Sequence, residues 1–190
     1  MRIIIAGLLG AVALFVWMSV AHMFTPLGYI GFSKLPNEPA VLAALKDGGA
    51  THSAFYFFPW VDPKDPKLME KSTELMKSNP SGLMVFQPAG ASTDMTPMMV
   101  KEFVKELAQT LIAAFLLSLT MLGSYLGRVG FVALVGVFAM LGSDASYWIW
   151  YGFPLNYTLA SMLMQLVGAI VAGLVVAAVV KPRGMSMQVA

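Results

Sequence analysis

The sequence predicts an integral membrane α-helical protein with four transmembrane helices and a small α+β, βαβ-like extracytoplasmic cap inserted between helices one and two. Three observations lead there. Of the 190 residues 58% are hydrophobic and only 12% are charged, and the mean hydropathy is +0.74, whereas soluble domains carry about a quarter charged residues. Several apolar stretches are long enough for a helix to cross a hydrocarbon core, which takes about 20 residues. Finally, the interval from residue 22 to 106 is too long for a bare connection in a compact protein and has turn and cap signals of its own.

The first apolar stretch, IIIAGLLGAVALFVWMSVA at 3 to 21, follows Arg2 and ends in a Ser-Val-Ala resembling a signal-peptidase site. We read residues 1–22 as an uncleaved anchor. The others are 107 to 127, 129 to 150 and 158 to 180. They give a three-helix membrane region over 107–183 and a short tail, 184–190. Lys and Arg beside spans stay on the cytoplasmic side. Arg2, Arg128, Lys181 and Arg183 flank the spans on one side, and the 143 to 157 connection has no basic residue. Both termini are therefore expected in the cytoplasm, residues 23–106 outside it, and the whole in a bacterial inner membrane.

Within the cap, 36 to 49 reads as a short helix with Asn37 at its N-cap and Gly48 past its end. The aromatic run 51 to 60 reads as a strand, and 65 to 82 as a helix with Asp65 capping and Pro66 first. A second strand follows at 82 to 88. The order suggests a right-handed crossover joining two parallel strands. Thr96-Pro97 then opens a helix expected to run unbroken into transmembrane helix two.

The absence of cysteine removes disulfides, thiolate zinc sites, iron–sulfur clusters and c-type haem. A net charge of +2 with scattered basic residues gives no nucleic-acid footprint. No GxSxG, Walker, Rossmann or HExxH pattern is present, so catalysis finds little support. Asp144 is the only acidic residue in the four expected spans, near the outer interface, amid Tyr147 and other rings that suit an aromatic belt. The plainer role for Asp144 is as an interfacial acceptor for a tyrosine or a tryptophan N–H. His22, Gln109 and Gln165 are expected in the same outer part of the bundle, giving a candidate binding set of His22, Gln109, Asp144, Tyr147 and Gln165.

A metal set of His22, His52, Met95 and Met98 is conceivable, because thioethers select Cu(I) and imidazole is a common ligand. Structural or gap-filling roles for these residues are the stronger reading. Small residues repeat every four positions on helix four (Gly168, Ala172; Ala169, Gly173, Ala177) and on helix one (Ala6, Gly10; Gly7, Ala11), which predicts close packing. The leading expectation is a non-catalytic accessory or assembly subunit of a membrane complex, in contact with lipid and with partner subunits or copies of itself. The alternative is binding or transport of copper, protons or a lipophilic molecule such as a quinone in an outer-leaflet pocket near His22, Asp144 and Gln165.

Overall fold

The computed structural model describes residues 1–182; the expected basic flank at Arg183 and the tail 184–190 lie outside the described residues. In chain order the elements are α1 (Arg2–Phe24), a 3-10 turn (Pro26–Tyr29), α2 (Glu38–Asp47), β1 (Ala54–Phe58), α3 (Leu68–Ser78), β2 (Gly82–Phe86), α4 (Thr96–Ser118), α5 (Tyr125–Tyr151) and α6 (Leu155–Val179). They divide into two units, one made of Met1–Phe32 and the chain from Asp94 on, the other of Ser33–Thr93.

Three helices of the larger unit, α1, α5 and α6, are long and apolar enough to cross a membrane. The bounds of the fourth expected span, 107 to 127, are corrected. Helix α4 does run unbroken from Thr96, but it stops at Ser118, and residues 125 to 127 already belong to α5. The cause is local hydrogen bonding. The hydroxyls of Ser118 and Thr120 donate to Phe115 O and Leu117 O, while the Ser124 hydroxyl accepts from Gly127 N at 3.0 Å and so caps a new helix. The apolar residues of 119 to 127 are thus split between a turn and the next helix. The first half of α4, with Lys101, Glu102, Lys105 and Glu106, is too polar to count as a span by composition.

Small residues let the helices approach. Thr110 Oγ1 donates to Gly7 O at 2.8 Å, and the rings of Phe15 and Phe103 meet edge-on at 5.7 Å, so α1 and α4 run antiparallel. Trp17 Nε1 donates to Met164 O at 2.8 Å, and Gly168 faces Leu14 and Trp17, which makes α1 and α6 antiparallel too. Tyr125 OH reaches Leu174 O at 2.7 Å and Gly136 faces Ala169, joining α5 to α6. Arg128 lies inside the first turn of α5 rather than between helices. It is buried, and its guanidinium donates to Ala177 O near the end of α6 and to Gly123 O, satisfying carbonyls left over at a helix terminus.

The core of this unit gathers Ala6, Ala113, Ala114, Leu117, Val129, Val132, Val176 and Ala177. All four helices therefore meet at the end where α4 stops and α5 starts. Elsewhere α4 touches α5 and α6 only sparsely. At the opposite end Gly152, at φ +68, closes α5 by donating its N–H to Tyr147 O, a left-handed conformation that glycine adopts without strain.

In the smaller unit β1 and β2 pair antiparallel, Phe58 opposite Gly82 and Ala54 opposite Phe86. This corrects the expected parallel crossover: α3 lies in the long loop of a hairpin. A parallel pair is less stable per residue and occurs with both faces covered, conditions that two strands and one short helix meet poorly. The α3 boundary also differs. Asp65 and Pro66 form a turn ahead of Leu68, in which Asp65 Oδ1 accepts from Lys67 N at 2.8 Å. Asn37 occupies the N-cap position of α2 as expected, but in a left-handed conformation and without a side-chain cap bond.

Candidate functional site: a cavity between the helices

Where α4 parts from α5 and α6, a cavity of about 590 Å³ opens within the larger unit, lined by residues of α1, α4, α5 and α6. Its inner wall is apolar and built partly from small side chains, Gly136 and Ala139 on α5 with Ala169 and Ala172 on α6. Those residues make the room. Polar groups, His22, Glu102, Lys105, Glu106, Gln109 and Gln165, complete the lining.

Glu106 is the most unusual of these. It is 0% exposed, and neither carboxylate oxygen has a hydrogen-bond partner. It sits between the Phe15–Phe103 contact and the Gly7–Leu111 contact, so its level along the bundle is that of the middle turns of α1. The nearest ammonium, on Lys105, is bonded to Glu102. Thr110, one turn on, spends its hydroxyl on the carbonyls of Gly7 and Glu106. As a buried carboxylate Glu106 is costly, because it lacks a donor and lies beside the Glu102 carboxyl.

Asp144, by contrast, is fully engaged. Its Oδ1 accepts from Ser161 Oγ at 2.6 Å, and its Oδ2 accepts from Gln165 Nε2 at 2.8 Å and from Ser143 Oγ at 3.0 Å. It ties α5 to α6 from behind the cavity wall and uses α6 donors rather than a tyrosine or tryptophan. Ser161 and Gln165, four residues apart on one face of α6, both line the cavity.

The structure thus brings His22, Gln109 and Gln165 to the cavity and puts Asp144 one layer behind Gln165. The Tyr147 ring instead stacks on Phe153 at 5.3 Å and leans on Tyr151. Met95 and Met98 are exposed at the start of α4, and His52 is exposed in the smaller unit. Among the described residues no group of three or more His, Asp or Glu side chains is arranged to hold a metal ion. Glu106 and Ser161 are the residues that reading the sequence passed over. The signal for Glu106 was available: a helix continuous from Thr96 carries residues ahead of position 107 alongside α1, whatever their polarity.

The chain matches no family model, no curated protein and no solved structure.

Proposed function

We propose that this protein is a non-catalytic integral membrane protein that binds a lipophilic molecule with a polar head group in the cavity between α1, α4, α5 and α6. The single observation that carries this reading is the size and chemistry of that gap: apolar walls built partly of small residues, with a few polar groups among them. Ligand sites are commonly concave and mostly apolar, with a few polar groups that fix orientation, and their volumes run about 300–1,000 Å³. In this reading α4 is the fourth crossing, because it lies antiparallel along α1 from Phe103 to Leu111, and its Glu102, Lys105 and Glu106 line the cavity. The chain then resides in a bacterial inner membrane with cytoplasmic termini and residues 33–93 outside, the boundary expected at 106 moving back because α4 crosses from its charged half onward.

The test compares what co-purifies. Wild-type protein and Ala139→Trp, which fills the cavity, are isolated in mild detergent, extracted with organic solvent and examined by mass spectrometry. The expected result is a lipophilic species near stoichiometric amount in the wild type and absent from the variant. Identical extracts from both would overturn the proposal.

A second reading, an accessory or assembly subunit, is favoured by one observation in the smaller unit. The β hairpin leaves the paired Phe55 and Val85 72% and 67% exposed, and Trp60, two residues past β1, is 66% exposed. Such a patch suits a protein partner. Native mass spectrometry of gently solubilised membranes tests it; a chain that always appears without another protein or a second copy would count against it.

A further inference from the structure

The cavity has a second property that its shape does not require: its polar lining is short of positive charge. Glu106 is buried without a partner. Asp144, behind the same wall, is bonded only to the neutral side chains Ser143, Ser161 and Gln165. Glu102 and Lys105 satisfy each other, which leaves no surplus cation. Of the lining donors, Gln165 Nε2 and Ser161 Oγ serve Asp144 and the Thr110 hydroxyl serves backbone carbonyls, while the neutral Gln109 amide lines the cavity without bonding Glu106. His22 lines the cavity and makes no ion pair among the described residues. What Glu106 lacks is a donor, preferably a charged one, and no described side chain supplies it.

We propose that the cavity's ligand is a lipophilic amine, whose alkyl or ring body lies among Val135, Ala139 and Ala169 and whose protonated nitrogen donates to the carboxylate of Glu106. This rests on the reading of the cavity as a lipophile site and adds the head-group chemistry. A cation in hydrogen-bond contact with a carboxylate offsets the desolvation that each would suffer alone. Ionisable groups at this level of a membrane helix are rare and mark substrate or ion pathways. An aliphatic amine, with a pKa near that of lysine at about 10.4, arrives charged at neutral pH.

The test uses the full chain in phosphatidylcholine nanodiscs and two probes of one tail length, dodecylamine and dodecanol. Binding is taken by calorimetry as the signal above that of Ala139→Trp, which removes partition into lipid. Wild type is expected to bind the amine at least about tenfold more tightly than the alcohol, the factor that one charge-assisted hydrogen bond provides. Glu106→Gln keeps the side-chain shape and is expected to abolish most of that preference. Equal binding of the two probes by the wild type, or a preference unchanged in Glu106→Gln, would overturn the amine assignment while leaving the lipophile site intact and pointing to a neutral head such as a quinone. If neither probe binds above the Ala139→Trp background, the site itself falls. Should Glu106→Gln fail to fold, the wild-type preference alone decides.

Discussion

Replacing Asp144 by alanine removes the acceptor that ties α5 to α6. Two of its bonds cross between helices, from Ser161 Oγ at 2.6 Å and Gln165 Nε2 at 2.8 Å, while the third donor, Ser143, also reaches Ala139 O at 3.1 Å and keeps that partner. Interhelical hydrogen bonds within a membrane protein contribute about 0.6 kcal/mol on average and at most about 1.7. Two of them give about 1–3 kcal/mol for Asp144→Ala. Asp144→Asn should cost about half as much or less, because an amide at 144 still accepts from Ser161 and can pair with a rotated Gln165 amide. The measurement is reversible unfolding in bicelles, with a double-mutant cycle against Gln165→Leu. The cycle should return a coupling of about 1 kcal/mol. A change below about 0.5 kcal/mol for Asp144→Ala would refute the tie. An asparagine variant as destabilised as the alanine one would show instead that the charge, not the hydrogen bonding, is what the bundle uses.

Three further outcomes follow from the geometry. A Cβ added at Gly10 would lie 2.9 Å from Val176 Cγ2 and 3.3 Å from Thr110 Cβ, so Gly10→Leu should force α1 away from α4 and α6 and cost about 1–3 kcal/mol in the same unfolding assay. Reporter fusions should report both termini in one compartment and residues 33 to 93 in the other; termini on opposite sides would mean that α4 does not cross. Lys71 and the Lys67 N–H hold the Asp65 carboxyl below its ordinary value. Its contribution is therefore present above the unfolded carboxylate range and lost as pH falls through the lower folded value. Lys71→Ala should move the Asp65 midpoint upward in an NMR titration, and an unmoved midpoint would contradict the pairing.

The apolar stretches around α1, α5 and α6 were legible because in hydrocarbon a helix must satisfy its own amides, which leaves a long uncharged run as an unmistakable trace. The small-residue repeats were legible for a related reason: Gly7, Gly10, Gly168 and Gly173 mark where backbones come close. Helix α4 was placed correctly at its start, Thr96, but not at its end. Its charged half reads as part of the cap although Glu102, Lys105 and Glu106 line a cavity beside α1, and its apolar end runs into a turn made by single hydroxyls at 118, 120 and 124, which hydropathy does not register. The strand pairing was not legible either, since helix between strands fits a crossover or a long hairpin loop equally well by order alone. Asp144 stood out as a lone charge in an apolar run, whereas Glu106 was hidden among Lys101, Glu102 and Lys105. Neighbours in sequence that face different ways in space are hard to separate before the α1–α4 contact is known.

Whether the gap between α4 and α5 takes up a lipophilic guest is tested most directly by a diazirine-bearing fatty alcohol, photolysed on the intact protein in nanodiscs and mapped by peptide mass spectrometry. The account predicts adducts concentrated on Ile112, Val135 and Ala139, which line the cavity, and their loss on adding excess unlabelled alcohol. Adducts confined to the outward Leu134 and Phe138, 67% and 82% exposed, would contradict it.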